Sequence, residues 1–257
     1  MGCSSIIPPM HIDWPKVASP PELAADEVHV WAIALEASDA AIVACGALLS
    51  GEERQRAERF YFDHLRRRFT VGHGALRQIL AHYIQVAPAA IEFTTLAGGK
   101  PALAESHATD GLTFNLTHSG ELALVAVART CEVGVDVERL REVSNVERLA
   151  RRYFHPHEVE NVLAETSAQQ QHAAFLRCWT GKEAVVKAYG TGLVAGLQSF
   201  RVPVIRAEDG WADLSSMPQP FAESQCWLTR LTPAEDYVAA CACIGERRRM
   251  TCLSLET

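Results

Sequence analysis

The sequence predicts an α+β protein with two halves of similar plan. Three observations carry this expectation. Segments with apolar residues at every second position and segments with helical periodicity come in blocks, in the order strand, helices, strands, helices, strands. The block order repeats once, with the junction near residues 129–133. The chain has 257 residues, 48% hydrophobic and 21% charged, enough for a sizeable core in one large unit or two small ones.

The elements follow in order. Residues 1–27 are Pro-rich (Pro8, Pro9, Pro15, Pro20, Pro21) and are expected to be irregular. The N-terminal half, residues 28–131, opens with a strand over Val28–Leu35. A helix over Ser38–Leu49 follows. Ser50 and Glu53 form a capping-box pattern that starts a second helix, ending near Phe60. A longer helix covers His64–Gln85, where Gly72 and Gly74 weaken helix propensity and would permit close backbone approach to a ligand. Ile91–Leu96, Leu112–Thr117 and Leu122–Ala128 read as strands, separated by turn signals at Gly98-Gly99-Lys100-Pro101 and Ser119-Gly120. The C-terminal half, residues 132–245, begins with a strand over Val133–Glu138. Short helices cover Asn145–Tyr153 and His157–Ala164. A long helix over Ser167–Tyr189 is capped by Ser167 and stopped by Gly190 and Gly192. Strands return at Phe200–Ile205, Cys226–Leu231 and Tyr237–Ile244. Residues 246–257 read as a tail, with Arg247, Arg248 and Arg249 expected to be mobile.

Composition narrows the functional classes. The apolar runs are strand-length, too short to span a bilayer, and no secretory signal pattern opens the chain, so a cytoplasmic protein with no membrane partner is expected. Met1-Gly2 invites a myristoylation reading, which Ile6 rejects by standing where Ser or Thr is needed. The eight cysteines include no C-x-x-C and read as reduced thiols. The net charge of −7 argues against a nucleic-acid partner. Against it stands a basic cluster of Arg54, Arg56, Arg59, Arg66, Arg67 and Arg68. Interleaved Glu52, Glu53 and Glu58 account for the first three as a solvated helix face. Arg66-Arg67-Arg68 have only Asp63 nearby and suit a localised anion partner.

Three segments carry chemistry. In Gly134-Val135-Asp136-Val137-Glu138, the two carboxylates alternate with valines and point to one face of a strand. At about 7 Å and an effective dielectric near 20 they repel by roughly 2.4 kcal/mol. Water, a shared proton or a cation would relieve this, and an oxygen-only site with room for phosphate suits Mg²⁺. In Phe175–Leu193, Trp179, Glu183 and Lys187 share one helical face. That pattern fits an ordinary Glu–Lys helix pair beside a core tryptophan. Taken alone, the segment favours that reading; the other is a third acid that completes a ligand set with Asp136 and Glu138, flanked by Lys182 and Lys187. In Phe114–Gly120, a strand ends in the donors Thr117, His118 and Ser119, where His118 could bind phosphate, act as a base or be structural.

Taken together, Gly99-Lys100-Pro101, Phe114–Gly120, Gly134–Glu138 and Trp179-x-x-Lys182-Glu183-x-x-x-Lys187 resemble the 4'-phosphopantetheinyl transferases of the surfactin-synthetase-activator type, over roughly residues 48–245. The resemblance implies a monomer of two pseudo-symmetric halves, each a small, mostly antiparallel sheet packed with helices, with coenzyme A in the cleft between them. It implies transfer of the phosphopantetheine arm of coenzyme A to a serine of an apo acyl or peptidyl carrier protein, releasing adenosine 3',5'-bisphosphate. By the same resemblance, Asp136, Glu138 and Glu183 surround Mg²⁺, Glu183 and Lys187 are catalytic, and Lys187 lies near the α-phosphate. Arg56, Arg68, Lys100, Pro101, Thr117, His118, Asp136, Lys182 and Lys187 are the implied coenzyme A contacts. Glu53 departs from the pattern, since relatives often place a lysine there. The basic run Arg139, Arg141, Arg148, Arg151 and Arg152 is the expected carrier-docking surface. Two other readings stand beside this one: a non-catalytic coenzyme A- or nucleotide-binding module, and a Mg²⁺-dependent phosphohydrolase that uses the same acids.

Overall fold

The computed structural model describes residues 12–17, 19–190, 196–204, 212–214 and 225–255. The N-terminal half runs β1 (Lys16–Val17), β2 (Glu27–Ala34), α1 (Asp39–Leu48), α2 (Gly51–Glu58), α3 (Asp63–Ile84), β3 (Phe93–Thr95), β4 (Pro101–Leu103), β5 (Leu112–Ser119) and β6 (Leu122–Arg129). The C-terminal half runs β7 (Val133–Arg139), α4 (Val146–Tyr153), α5 (Pro156–Leu163), α6 (Ala168–Tyr189), β8 (Ala212–Asp213), β9 (Cys226–Leu231) and β10 (Tyr237–Ile244), and the chain ends in β11 (Arg249–Leu255).

The two halves repeat one plan. Each has a strand, three helices and an antiparallel pair, hydrogen-bonded in the order first, last, middle: β2-β6-β5 in one and β7-β10-β9 in the other. Local chemistry fixes the helix starts. Ser38 accepts from the Ala41 amide, and reciprocal capping boxes join Ser50 to Glu53 and Ser167 to Gln170. Gly190, at φ +67, supplies the left-handed residue that ends α6.

Strand alternation divides the core. Trp31, Ile33, Ala123, Val125 and Val127 face α3, packing against Val71, Leu76, Ile79 and Leu80. Ala240 and Ala242 face α6, packing with Phe175, Cys178, Ala184 and Val185. The opposite faces meet each other: Val28, Val30, Leu122 and Leu124 share a core with Val133, Val135, Val137, Cys241 and Cys243. The two sheets therefore bury each other's backs, and each carries its long helix outward.

Four expectations need correction. Residues 249–255 form no loose tail: β11 inserts between β1 and β2 of the first half's sheet, parallel to both. Leu253 packs into the α3 core and Cys252 against the inter-sheet core, a period-2 pattern masked by the arginines before it. The Pro-rich segment contributes β1, which pairs with β11. Phe200–Val204 is not a strand, because side chains take its backbone groups in place of a ladder. Lys182 Nζ donates to Phe200 O, Glu158 accepts from the Val202 amide, and Arg230 donates to Pro203 O. Ile205 lies outside the described residues, as does the stop residue Gly192. Finally, Gly74 admits a helix and not a ligand: a Cβ there would stand 2.5 Å from the Cβ of Cys45 on α1.

Candidate active site at the seam between the halves

The site is built on one close contact. A Cβ at Gly134 would lie 2.1 Å from Ala184 O and 2.3 Å from Ala188 N, so α6 rests directly on the backbone of β7 at this residue. Asp136 follows two residues along the same face of the strand. Glu183 and Lys187 flank the contact on the helix. The sequence motif thus contains its own assembly instruction: glycine lets the helix down onto the strand that carries the acids.

Lys187 Nζ donates to Asp136 Oδ1 at 2.6 Å, to Thr117 Oγ1 at 3.2 Å and to Val135 O at 3.4 Å. Thr117 Oγ1 donates to Asp136 Oδ1 at 3.1 Å. The other carboxylate oxygen, Asp136 Oδ2, is buried and accepts no hydrogen bond, and Glu183 Oε1 is in the same state. Burial raises the proton affinity of Asp136; Lys187 opposes this and Glu138 reinforces it. Burial also raises Glu183, with the charges of Asp136 and Glu138 adding to it and Lys187 opposing. The two acids therefore act on one another across the seam of strand and helix.

Glu138 is held differently. Its Oε2 accepts from Ser119 Oγ at 2.9 Å, and Arg141 lies 3.9 Å away. Among the described residues, no three His, Cys, Asp or Glu side chains converge as a ready-made metal cluster. The donor chemistry still fits a hard cation: two buried carboxylate oxygens without partners are the kind of ligand that Mg²⁺ takes.

Strand β5 holds the seam together from the other half. Asn115 Oδ1 accepts from the Val135 amide at 2.9 Å, and Thr117 and Ser119 hold Asp136 and Glu138. The alternation Asn115, Thr117, Ser119 signals this row, yet Asn115 and Ser119 were not among the expected site residues. Next to the row, the His118 ring faces cations. Its protonation is depressed by desolvation first, then by Lys187, His73, Arg56 and Arg68. Arg68 leans on Glu36 at 2.7 Å and Glu121 at 3.4 Å. Arg56 stacks 5.2 Å over Phe69, which itself stacks on His73. This is a cationic rim around a strand end, suited to phosphates.

Two of the expected contacts are buried and paired within the protein. Lys182 is fully buried and pairs with Glu158 at 2.8 Å while donating to Leu197 O and Phe200 O at 2.7 Å each. It points away from Asp136 because residues 182 and 183 are about 100° apart on a helix. Lys100 is also buried and donates to Glu132 at 2.7 Å, Val133 O at 2.9 Å and Ala188 O at 3.3 Å, tying the turn before β4 to the second half. Pro101 is exposed at the start of β4. Glu53, the departure from pattern, also has a local explanation. It closes the α2 capping box and accepts from Arg77 Nε at 2.7 Å, with His73 at 3.0 Å. Burial alone would push its carboxyl up, but these bonds and the charge of Arg77 hold it at about 2.

Sequence comparisons place both halves in one family. A family profile described as "4'-phosphopantetheinyl transferase superfamily" matches residues 132–242, and one described as "4'-phosphopantetheinyl transferase, N-terminal" matches residues 35–130. The chain is 41% identical over 229 residues to the 4'-phosphopantetheinyl transferase HetI of Nostoc sp., covering 88% of this chain and 92% of that protein. It is 28% identical over 200 residues to the 4'-phosphopantetheinyl transferase Sfp of Bacillus subtilis, covering 76% and 83%. It is 29% identical over 182 residues to the L-aminoadipate-semialdehyde dehydrogenase-phosphopantetheinyl transferase of Xenopus laevis, covering 67% and 60%. With both halves matched in order, and with a relative 41% identical over most of both chains, the chain belongs to the 4'-phosphopantetheinyl transferase superfamily, in its Sfp type.

Proposed function

We propose that the enzyme moves the 4'-phosphopantetheine arm of coenzyme A onto a serine hydroxyl of an apo acyl or peptidyl carrier protein, with Mg²⁺, releasing adenosine 3',5'-bisphosphate. One observation carries this reading: Asp136 Oδ2 and Glu183 Oε1 are buried, partnerless and electrostatically coupled at a seam rimmed with cations. Asp136 and Glu183 would hold Mg²⁺, with Glu138 beside them. When bound, the ion offsets charge on the phosphate oxygens.

The chain's own residues supply the rest. The serine oxygen bonds to the phosphorus bearing the pantetheine arm, the bond from that phosphorus to the bridging oxygen breaks, and the bisphosphate leaves. Glu183, whose proton affinity is already raised, accepts the serine proton. Lys187 is 27% exposed at its side chain and exchanges one of its protein acceptors for the leaving phosphate. Arg68, Arg56, His118 and Thr117 bind the nucleotide phosphates, Arg68 by its planar fork. The buried ammonium groups of Lys100 and Lys182 take no direct part.

The carrier docks, in this reading, along α4. Arg151 there is paired with Glu147 at 2.8 Å, whereas Arg148 is exposed and has no ion pair among the described residues. Both line a groove of about 610 Å³ with Val143, Val146 and His172. Reversing charge at Arg148 and Arg151 together raises KM for the carrier and leaves KM for coenzyme A unchanged. Equal effects on both would reject the docking role.

Intact mass spectrometry of apo carriers with coenzyme A and Mg²⁺ tests the reaction. The expected result is a gain of about 340 Da, abolished by chelator. Glu183→Gln should retain coenzyme A binding and lose turnover. Bisphosphate release without carrier would identify a phosphohydrolase, and coenzyme A binding without any modification a binding module.

A further inference from the structure

The two sheets pack back to back, and their edge strands β5 and β7 lie against each other without a backbone ladder between them. Side chains bridge the gap instead. Asn115 satisfies the Val135 amide, and Thr117 holds Asp136. Ser119, the last member of this row, makes two bonds at once. Its hydroxyl donates to Glu138 Oε2 at 2.9 Å and accepts from the Arg139 amide at 3.1 Å. Both bonds fix the hydroxyl proton and oxygen in one orientation, so the carboxylate it holds is fixed too.

Glu138 has one competing attraction, and its chain neighbour Arg139 is turned to another acid. Arg141 lies 3.9 Å from its Oε2, and Arg139 on the same strand reaches toward Glu121 at 3.8 Å. A carboxylate that is 21% exposed and flanked by arginines can swing outward to solvent at little cost. Ser119 is the neutral group that opposes this swing. Nothing in the core depends on it: Ser119 is half-buried at the strand end, beside the turn residue Gly120.

We propose that Ser119 is a positioning residue, contributed by the N-terminal half, that holds Glu138 of the C-terminal half in place for the divalent cation. Cation affinity is thereby set across the seam: a change in how the halves meet reaches Glu138 through this hydroxyl, as it reaches Asp136 through Thr117. The inference rests on the metal reading given above for Asp136 and Glu183.

The test is a double-mutant cycle read by Mn²⁺ binding to the free enzyme, followed by electron paramagnetic resonance, with neither coenzyme A nor carrier present. Ser119→Ala should weaken Mn²⁺ binding about tenfold, the lower range for losing an outer-sphere partner. Ser119→Thr, which keeps the hydroxyl, should restore it. In a Glu138→Ala background the Ser119→Ala change should have no further effect. Should Ser119→Ala not fold, Ser119→Cys, a weaker donor, enters the same cycle. Equal loss in both backgrounds, or no loss in either, overturns the inference. The metal reading fails separately: it falls if the wild-type enzyme binds no Mn²⁺, or if Asp136→Asn with Glu183→Gln leaves that binding intact.

Discussion

Gly134→Ala is the most direct test of how the site is assembled. The added methyl carbon would stand 2.1 Å from Ala184 O, 2.3 Å from Ala188 N and 2.9 Å from Lys187 C. All three are backbone atoms of α6, so no rotamer change relieves the clash. The helix must lift from β7 by roughly 1 Å, and overpacking of this kind costs about 3 kcal/mol when backbone has to move. For a chain of this size that corresponds to a fall in melting temperature of about 6–12 °C. The chemical consequence is separate and larger. Glu183 and Lys187 ride on the displaced turns, and a misplacement of about 1 Å can cost about a hundredfold in rate.

Thermal unfolding followed by circular dichroism reads the first effect, and carrier loading at a temperature where the variant is folded reads the second. Gly51→Ala is the control. Gly51 begins α2 and a Cβ there meets nothing within 4 Å, so alanine should be neutral or stabilising by up to about 1 kcal/mol. A Gly134→Ala variant that melts within about 2 °C of wild type and turns over within about threefold would refute the reasoning. The glycine would then be incidental, and the meeting of the acids would need another cause.

The remaining predictions follow from buried charge. Glu53→Gln should cost about 3 kcal/mol at neutral pH, because the carboxyl is held at about 2 against an ordinary 4.5. Since the folded state lowers this pKa, the contribution is complete above pH 4.5 and fades as pH falls toward 2. The gap between wild type and variant, measured by denaturant titration, should therefore close over that range; a pH-independent gap contradicts it. Lys182→Met leaves Glu158 buried without its cation, at about 3–5 kcal/mol, yet should leave KM for coenzyme A within about twofold. A normal melting temperature with a tenfold higher KM, about 1.4 kcal/mol of binding, would return Lys182 to the ligand. The His118 ring should titrate below 6.5 by NMR, and Arg68→Met should move its midpoint upward. No movement would place Arg68 outside the cationic rim.

Much of this molecule is legible in the sequence because its period and punctuation agree. Among the described residues, six helices and the strands of both antiparallel pairs follow from apolar spacing with Ser caps and Gly stops, and the charges of Asp136 and Glu138 on β7 act on Glu183 of α6. The misses have physical causes. β11 hides behind Arg247-Arg248-Arg249, and a sheet that accepts a strand from the far end of the chain leaves no local signal. Phe200–Val204 carries a strand-like alternation, but Glu158, Lys182 and Arg230 take its backbone groups first. Lys182 and Glu183 are neighbours in sequence and opposites in space. Only the packing of α6 decides which of the two enters the site.

Glu53 shows why a departure from a family pattern needs its neighbours before it is judged. A carboxylate where the resemblance implies a lysine would, taken alone, repel the phosphates that the proposed function assigns to Arg56 and Arg68. Its charge is already committed. Arg77, buried to 1% exposure, donates to it at 2.7 Å and would itself be an uncompensated buried cation without it. His73 and the Ser50 amide take its remaining acceptor sites. Arg77 is anchored in turn on Pro88 O and Ile91 O and lies 5.1 Å from the Phe93 ring, so the pair is fixed from both ends. The unit is close to neutral, and the rim around His118 keeps the field of Arg56, Arg68 and Lys187. Restoring lysine at residue 53 would therefore not restore a phosphate contact. It would set a second cation against Arg77, open the α2 cap and move the helix that carries Arg56, so both stability and coenzyme A affinity should fall together. A Glu53→Lys variant that binds coenzyme A more tightly at an unchanged melting temperature would show that the charge at this turn, and not the pair it forms, governs the site.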